Sequence, residues 1–121
     1  MKYVTAIFCL LLIFLCISCS QTKNVVLNLT KPSGQTAEVN YDGFYTLNAG
    51  AQEAMTGTTP HDYEFDLSKG DILAGEVYKA DSTNMTDTLV FKIFIDDVEQ
   101  QSQNLVLPPM LGKISFSLTV Q

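Results

Sequence analysis

The sequence has no tryptophan, no arginine, a single histidine, and cysteine only at Cys9, Cys16 and Cys19. Each absence closes a class of function. With 7 basic residues, all Lys, against 13 acids, the net charge is −6. Such a chain has no cationic footprint for a phosphate backbone, which argues against a nucleic-acid partner. Beyond Cys19 there is no thiol, so the remainder has neither a disulfide framework nor a thiol nucleophile. One histidine is too few for a zinc centre without cysteine ligands. Dinucleotide-binding, P-loop and Gly-x-Ser-x-Gly patterns are missing. The sequence therefore implies no cofactor and no catalytic residues, and the chain is read as a non-enzyme. A length of 121 residues allows one domain, and a hydrophobic content of 46% is that of a folded chain.

What is present begins with a leader. Met1-Lys2 is followed by an apolar run from Tyr3 to Ile17, broken only by Tyr3 and Thr5. That run has the length of a signal-peptide core and falls short of the ~20 residues that span a bilayer. Cys16-Ile17-Ser18-Cys19 resembles a bacterial lipobox, in which a small residue precedes the cysteine that accepts diacylglycerol. Cleavage between Ser18 and Cys19 would leave a lipidated Cys19 as the first mature residue, palmitate being among its acyl groups. General cleavage after Ser20 and an uncleaved anchor are the alternatives. Several acyl chains would hold the protein firmly, since one alone binds marginally. Ser20 after the cysteine is unlike an inner-membrane retention signal, and Ser20 to Asn24 lack an acidic export run. The expected location is the outer membrane, facing the periplasm. The expected organisation is a signal peptide over 1–18, a lipidated tether over 19–24 and a domain over 25–121.

Period-2 alternation dominates that domain. Val25, Leu27 and Leu29 share one face of a first strand, and Lys31 to Gly34 form a turn. Ala37, Val39 and Tyr41 alternate, and Asp42-Gly43 before Phe44 to Leu47 predicts a two-residue hairpin. Residues 49–61 read as a loop. Tyr63, Phe65 and Leu67 point inward, with Asp62, Glu64 and Asp66 outward. Ile72 to Ala80 reads as a strand with a bulge or close backbone approach at Gly75. Thr88 to Asp96 is apolar on both faces and is expected to be central. Asp96-Asp97 turns into a short strand from Val98 to Ser102, and Ile114 to Val120 alternate again. The pattern predicts an all-β fold, an antiparallel immunoglobulin-like β-sandwich of seven or eight strands, without the Cys…Trp…Cys core of true immunoglobulin domains.

Two segments, Phe65 to Ala74 around Lys69-Gly70-Asp71, and Thr88 to Asp97 ending Ile95-Asp96-Asp97, resemble small bacterial envelope proteins related to the mycobacterial membrane protein, small family. The resemblance covers Val25 to Gln121. It implies a membrane-anchoring N-terminus before a β-sandwich and, in actinobacterial members, an accessory role beside an export transporter. It implies no catalytic residues. Asp97 stands where that pattern carries glycine, and its aromatic Leu-Pro-Trp-like segment has no counterpart here.

Chemistry elsewhere is sparse. His61 has no nucleophile motif beside it. Asp62, Glu64 and Asp66 fit a solvated strand face, with calcium collection as the alternative. The oxygen-rich run Asp81 to Asp87 lacks the Asp-x-Asp-x-Asp-Gly frame of a calcium loop. Asp81-Ser82-Thr83 resembles a Bacteroidetes O-glycosylation sequon, making Ser82 a candidate acceptor. Leu105 to Leu111 is the best partner-binding candidate, through Leu107, Met110 and Leu111; the plainer reading is a connection that covers the core. The expected function is a lipid-anchored interaction or accessory module with an envelope protein as partner. The alternative is a periplasmic carrier of a small apolar ligand.

Overall fold

The computed structural model describes residues 21–121. Ser18 and Cys19, and with them the leader and lipidation readings, lie outside the described residues. The described chain forms β1 (Thr22–Thr30), β2 (Asn40–Leu47), β3 (Glu53–Ala54), β4 (Gly57–Thr58), β5 (His61–Ser68), β6 (Ile72–Lys79), β7 (Leu89–Ile95), β8 (Val98–Leu105) and β9 (Ile114–Thr119). One sheet has the order β5-β1-β7-β8; the other has β3-β2-β6-β9, with β4 also on β2. Every pairing is antiparallel. The expected β-sandwich is what the sequence folds into.

Alternation decides which side chains fill it. Val25, Leu27 and Leu29 from β1 and Phe91 and Ile93 from β7 meet Leu73, Val77 and Phe116 from the opposite sheet, all buried. Phe91 packs on Phe116 at 4.9 Å between ring centroids, Tyr45 on Phe65 at the same distance, and Tyr41 on Tyr63 at 6.5 Å, so aromatic pairs join the sheets in three places. β7 lies between β1 and β8, as its two apolar faces predict.

Three expectations need correction. Asp42-Gly43 is no hairpin; both residues lie inside β2 and pair with Tyr78 and Val77. The alternation Val39-Tyr41-Gly43-Tyr45 runs through them unbroken and outweighs the local turn signal. Gly43 is needed instead for close approach, since a Cβ there would lie 2.2 Å from the Glu76 carbonyl oxygen. The two-residue hairpin turn is at Asp96-Asp97, with φ of 47° and 65°. Second, residues 49–61 are not all loop. β3 and β4 lie along β2 in one continuous register, interrupted at buried Met55, whose N–H donates to the Gly43 carbonyl at 2.9 Å. These two short pieces raise the strand segments to nine. Third, β1 begins at Thr22 and so takes in residues 22–24 of the expected tether.

The sandwich has two distinct ends. At one, here the near end, Thr22 starts β1 beside Ser68, and the tight turns Ser68 to Asp71, Asn48 to Gly50 and Asp96-Asp97 close the sheets. At the far end lie the longer connections, 31–39, 80–88 and 106–113. The nine residues of β1 separate the ends by about 30 Å.

Candidate functional site

The far end is built around a lysine that the sequence reading passed over. Inward positions of β6 run Leu73, Gly75, Val77 and then Lys79, which is only 1% exposed. Its ammonium donates to the carbonyl oxygens of Asp87 at 2.8 Å, Val106 at 3.2 Å and Met85 at 3.3 Å. Three protons meet three acceptors, which is what a desolvated ammonium requires. Burial pushes the Lys79 pKa below its ordinary value, and the nearby Asp87 charge opposes that shift. The consequence is mechanical: one side chain ties the loop after β6 to the loop after β8. The signal was available, because counting by twos from Leu73 places Lys79 inside.

The loop after β6 is further fixed by Thr83, whose hydroxyl donates to the Asn40 carbonyl at 2.7 Å and accepts from the Asn40 N–H at 2.9 Å. Ser82 is exposed, and its hydroxyl accepts from the Asn40 side-chain amide at 3.0 Å. Tyr41, paired with Lys79 in the ladder, is buried and shares a 3.1 Å hydrogen bond with the Tyr63 hydroxyl. Burial raises the Tyr41 pKa above the ordinary tyrosine value, and Tyr63 adds to the shift.

Onto this frame the two loops place large apolar side chains facing water. Leu105 is buried, but Val106, Leu107, Met110 and Leu111 are exposed, and Met85 joins them from the loop after β6. Met110 is 78% exposed and has φ of +68°. It follows Pro109 in a turn closed by the Leu111 N–H donating to the Pro108 carbonyl at 3.1 Å. A positive φ at that third turn position is ordinarily given to glycine; a side chain there is strained by about 1–2 kcal/mol. Leu107 folds over Gly112, where a Cβ would lie 2.6 Å from its Cδ1. Beside these residues is an open groove of about 440 Å³, lined by Glu76, Tyr78 and Met110 to Lys113 and rimmed by the Lys113–Glu76 ion pair at 2.6 Å.

The other predicted residues are placed elsewhere. Asp62, Glu64 and Asp66 are exposed on the outer face of β5, and Asp62 accepts from the Asn28 amide at 2.6 Å. Asp62 and Glu64 border a second depression of about 410 Å³ with Asn24, Asn28, Lys92 and Phe94. His61 is exposed, its ring 4.6 Å from that of Tyr63. Among the described residues no group of three or more His, Cys, Asp or Glu is arranged to hold a metal ion. No described helix is long and apolar enough to cross a membrane.

No family model matches the chain, and neither a curated protein nor a solved structure does. Any functional reading therefore rests on the molecule itself.

Proposed function

We propose that the protein is a lipid-anchored, non-enzymatic interaction module of the cell envelope, tethered through Cys19 and engaging a partner protein with its far end. The observation that carries this reading is the polarity of the sandwich. The chain enters β1 at the near end, three residues after Cys19, while Met85, Val106, Leu107, Met110 and Leu111 expose apolar surface about 30 Å away. Tethering at one end and apolar display at the other suit a domain that holds a partner off the membrane. The resemblance to small envelope proteins, with their anchored N-terminus and accessory role, supports the same reading, as does the outer-membrane, periplasm-facing location the leader implies.

Cys19→Ala tests the anchor: the full chain leaves the membrane fraction and loses palmitate labelling. Persistent labelling contradicts the lipobox assignment. Met110→Asp combined with Leu111→Asp tests the far end: the protein stays anchored and folded but no longer co-isolates with its partner. In the carrier reading, native mass spectrometry instead finds a small apolar molecule in the groove beside Met110.

A further inference from the structure

We infer that the free edge of β9 receives an extended strand of a partner protein, with apolar side chains at the positions that face inward beside Phe116 and Leu118. The inference rests on the interaction-module reading and adds a second contact to it, along the side of the sandwich. Two observations carry it, and a third fixes the occupant.

The first is the direction of the backbone groups. Among the described residues β9 hydrogen-bonds to β6 alone. Val120 extends that edge of the ladder: its N–H donates to the Asp71 carbonyl at 2.9 Å and its carbonyl accepts from the Gly70 N–H at 2.8 Å. Bonding alternates along an antiparallel pair, so Ile114, Phe116 and Leu118 turn their N–H and C=O toward β6 as well. Ser115, Ser117 and Thr119 turn theirs away, and all three residues are exposed. A row of alternating donors and acceptors at this spacing is matched by another extended backbone.

The second is the lack of any guard on this edge. The other sheet edges are short, charged or irregular. β3 and β4 are two residues each, and β5 carries Asp62, Glu64 and Asp66. β8 has a bulge opposite Ile93 and Phe94, and its Glu99 pairs with Lys92 at 3.0 Å. Ile114 to Gln121 contain neither a charge nor a proline, and the register of β9 on β6 is unbroken. These are the devices that normally stop a further strand from adding, and β9 has none of them. On its inner side Leu118 is only partly buried, so an apolar side chain opposite it would complete its cover.

The third is geometry, which separates the possible donors. Two copies of β9 can pair with their apolar faces on one side only when antiparallel. That sends their β1 N-termini to opposite ends, about 30 Å apart, whereas copies anchored through Cys19 present the same end to one membrane. In the lipidated form only Cys19 to Gln21 precede β1, and three residues reach about 10 Å, too short to run along β9. The strand therefore comes from a different protein.

The test is photo-crosslinking in intact cells of the full chain, with benzoylphenylalanine in place of Ser115 in one strain and of Leu107, at the far end, in another. The captured peptide is sequenced from isolated membranes. The inference expects the Ser115 probe to capture a segment with apolar residues at alternate positions and no proline among them. Ser117→Pro removes an outward N–H that β6 does not use and lowers that yield about tenfold. Ser117→Lys, which leaves the backbone unchanged and adds an edge charge, lowers it too, so the test stands even where the proline variant fails to fold. Amide exchange on the purified full chain should be fast at Ser115, Ser117 and Thr119 and slow at Phe116 and Leu118. Protection of the first three in the purified chain overturns the inference. So does capture of lipid, of a second copy or of a segment without alternation, or a yield that neither Ser117 variant changes. If only the Leu107 probe captures a protein, the module reading survives and this one fails. If neither probe captures anything, both fail.

Discussion

The two ends of this sandwich are closed by different physics. The near end is finished by short turns whose polar groups satisfy one another. Asp71 accepts from the Ser68 N–H at 2.8 Å and from the Asn48 amide at 3.1 Å, and Asn48 in turn accepts from the Ile72 N–H at 2.8 Å. Gly70 and Asp71 also exchange backbone hydrogen bonds with Val120. The far end is finished by long loops held from beneath by a buried cation, with apolar side chains left outside. Closing a sheet needs only the first arrangement. Both ends hold left-handed backbone, at Asn48, Ala49, Asp96 and Asp97 in the near-end turns and at Met110 in the far-end loop; only the far end also desolvates a lysine and leaves a cluster of large apolar side chains outside, and that difference teaches where the molecule departs from what folding alone would select.

That contrast can be broken from the middle. Gly75 pairs with Tyr45, and a Cβ there would lie 2.2 Å from the Phe44 carbonyl oxygen and 2.9 Å from the Phe116 ring. Gly75→Ala should destabilise both ends together, by about 3 kcal/mol, seen as a cooperative shift of chemical denaturation. Lys79→Met should instead separate them. Losing the ammonium leaves three carbonyls without their donor, at a cost of about 1–3 kcal/mol. Amide exchange should quicken across residues 81–87 and 106–112 while the turns at 68–71 and 96–97 keep their protection.

Relieving backbone strain sharpens the comparison. Met110→Gly should stabilise the fold by about 1 kcal/mol while weakening partner association, a trade expected only where strain serves binding. Asp97→Gly, at φ of 65° in the near-end turn, should stabilise by about 0.5–1 kcal/mol with no effect on association. Thermal melting and co-isolation measured on both variants distinguish the two turns.

The smallest effect is one of acidity. The Ser68 N–H, and after it the Asn48 amide, hold the Asp71 carboxyl below the ordinary carboxylate range. A depressed folded value means stability that is present above the unfolded pKa and lost as pH falls through the folded one. Melting temperature should therefore drop as pH falls through and below the ordinary carboxylate range, and Asp71→Asn should flatten part of that slope.

The strand pattern was legible because most of it is period-2 alternation on faces that are buried on one side. The clearest misreading, at Asp42-Gly43, came from weighing a local dipeptide above a longer alternation that ran through it. The edge pieces β3 and β4 carry almost no pattern; only Met55 is buried there, and pairing with β2 creates them. Leu107, Met110 and Leu111 stood out as apolar residues around a proline pair. The partnership of their loop with Met85 was invisible, since it depends on Lys79 reaching carbonyls six to twenty-seven positions away. A lysine at the end of an inward alternation is the sequence trace of such a clamp.

The most direct measurement compares methionine oxidation in isolated protein and in intact envelopes. Met85 and Met110 are 69% and 78% exposed, whereas Met55 is buried, so one chain carries both probe and control. If the far end is the working surface, Met85 and Met110 oxidise about tenfold more slowly in the envelope than in the isolated protein, and Met55 is equally protected in both. Equal oxidation of Met85 and Met110 in the two settings would show the far end uncovered where the protein works, and would contradict the account.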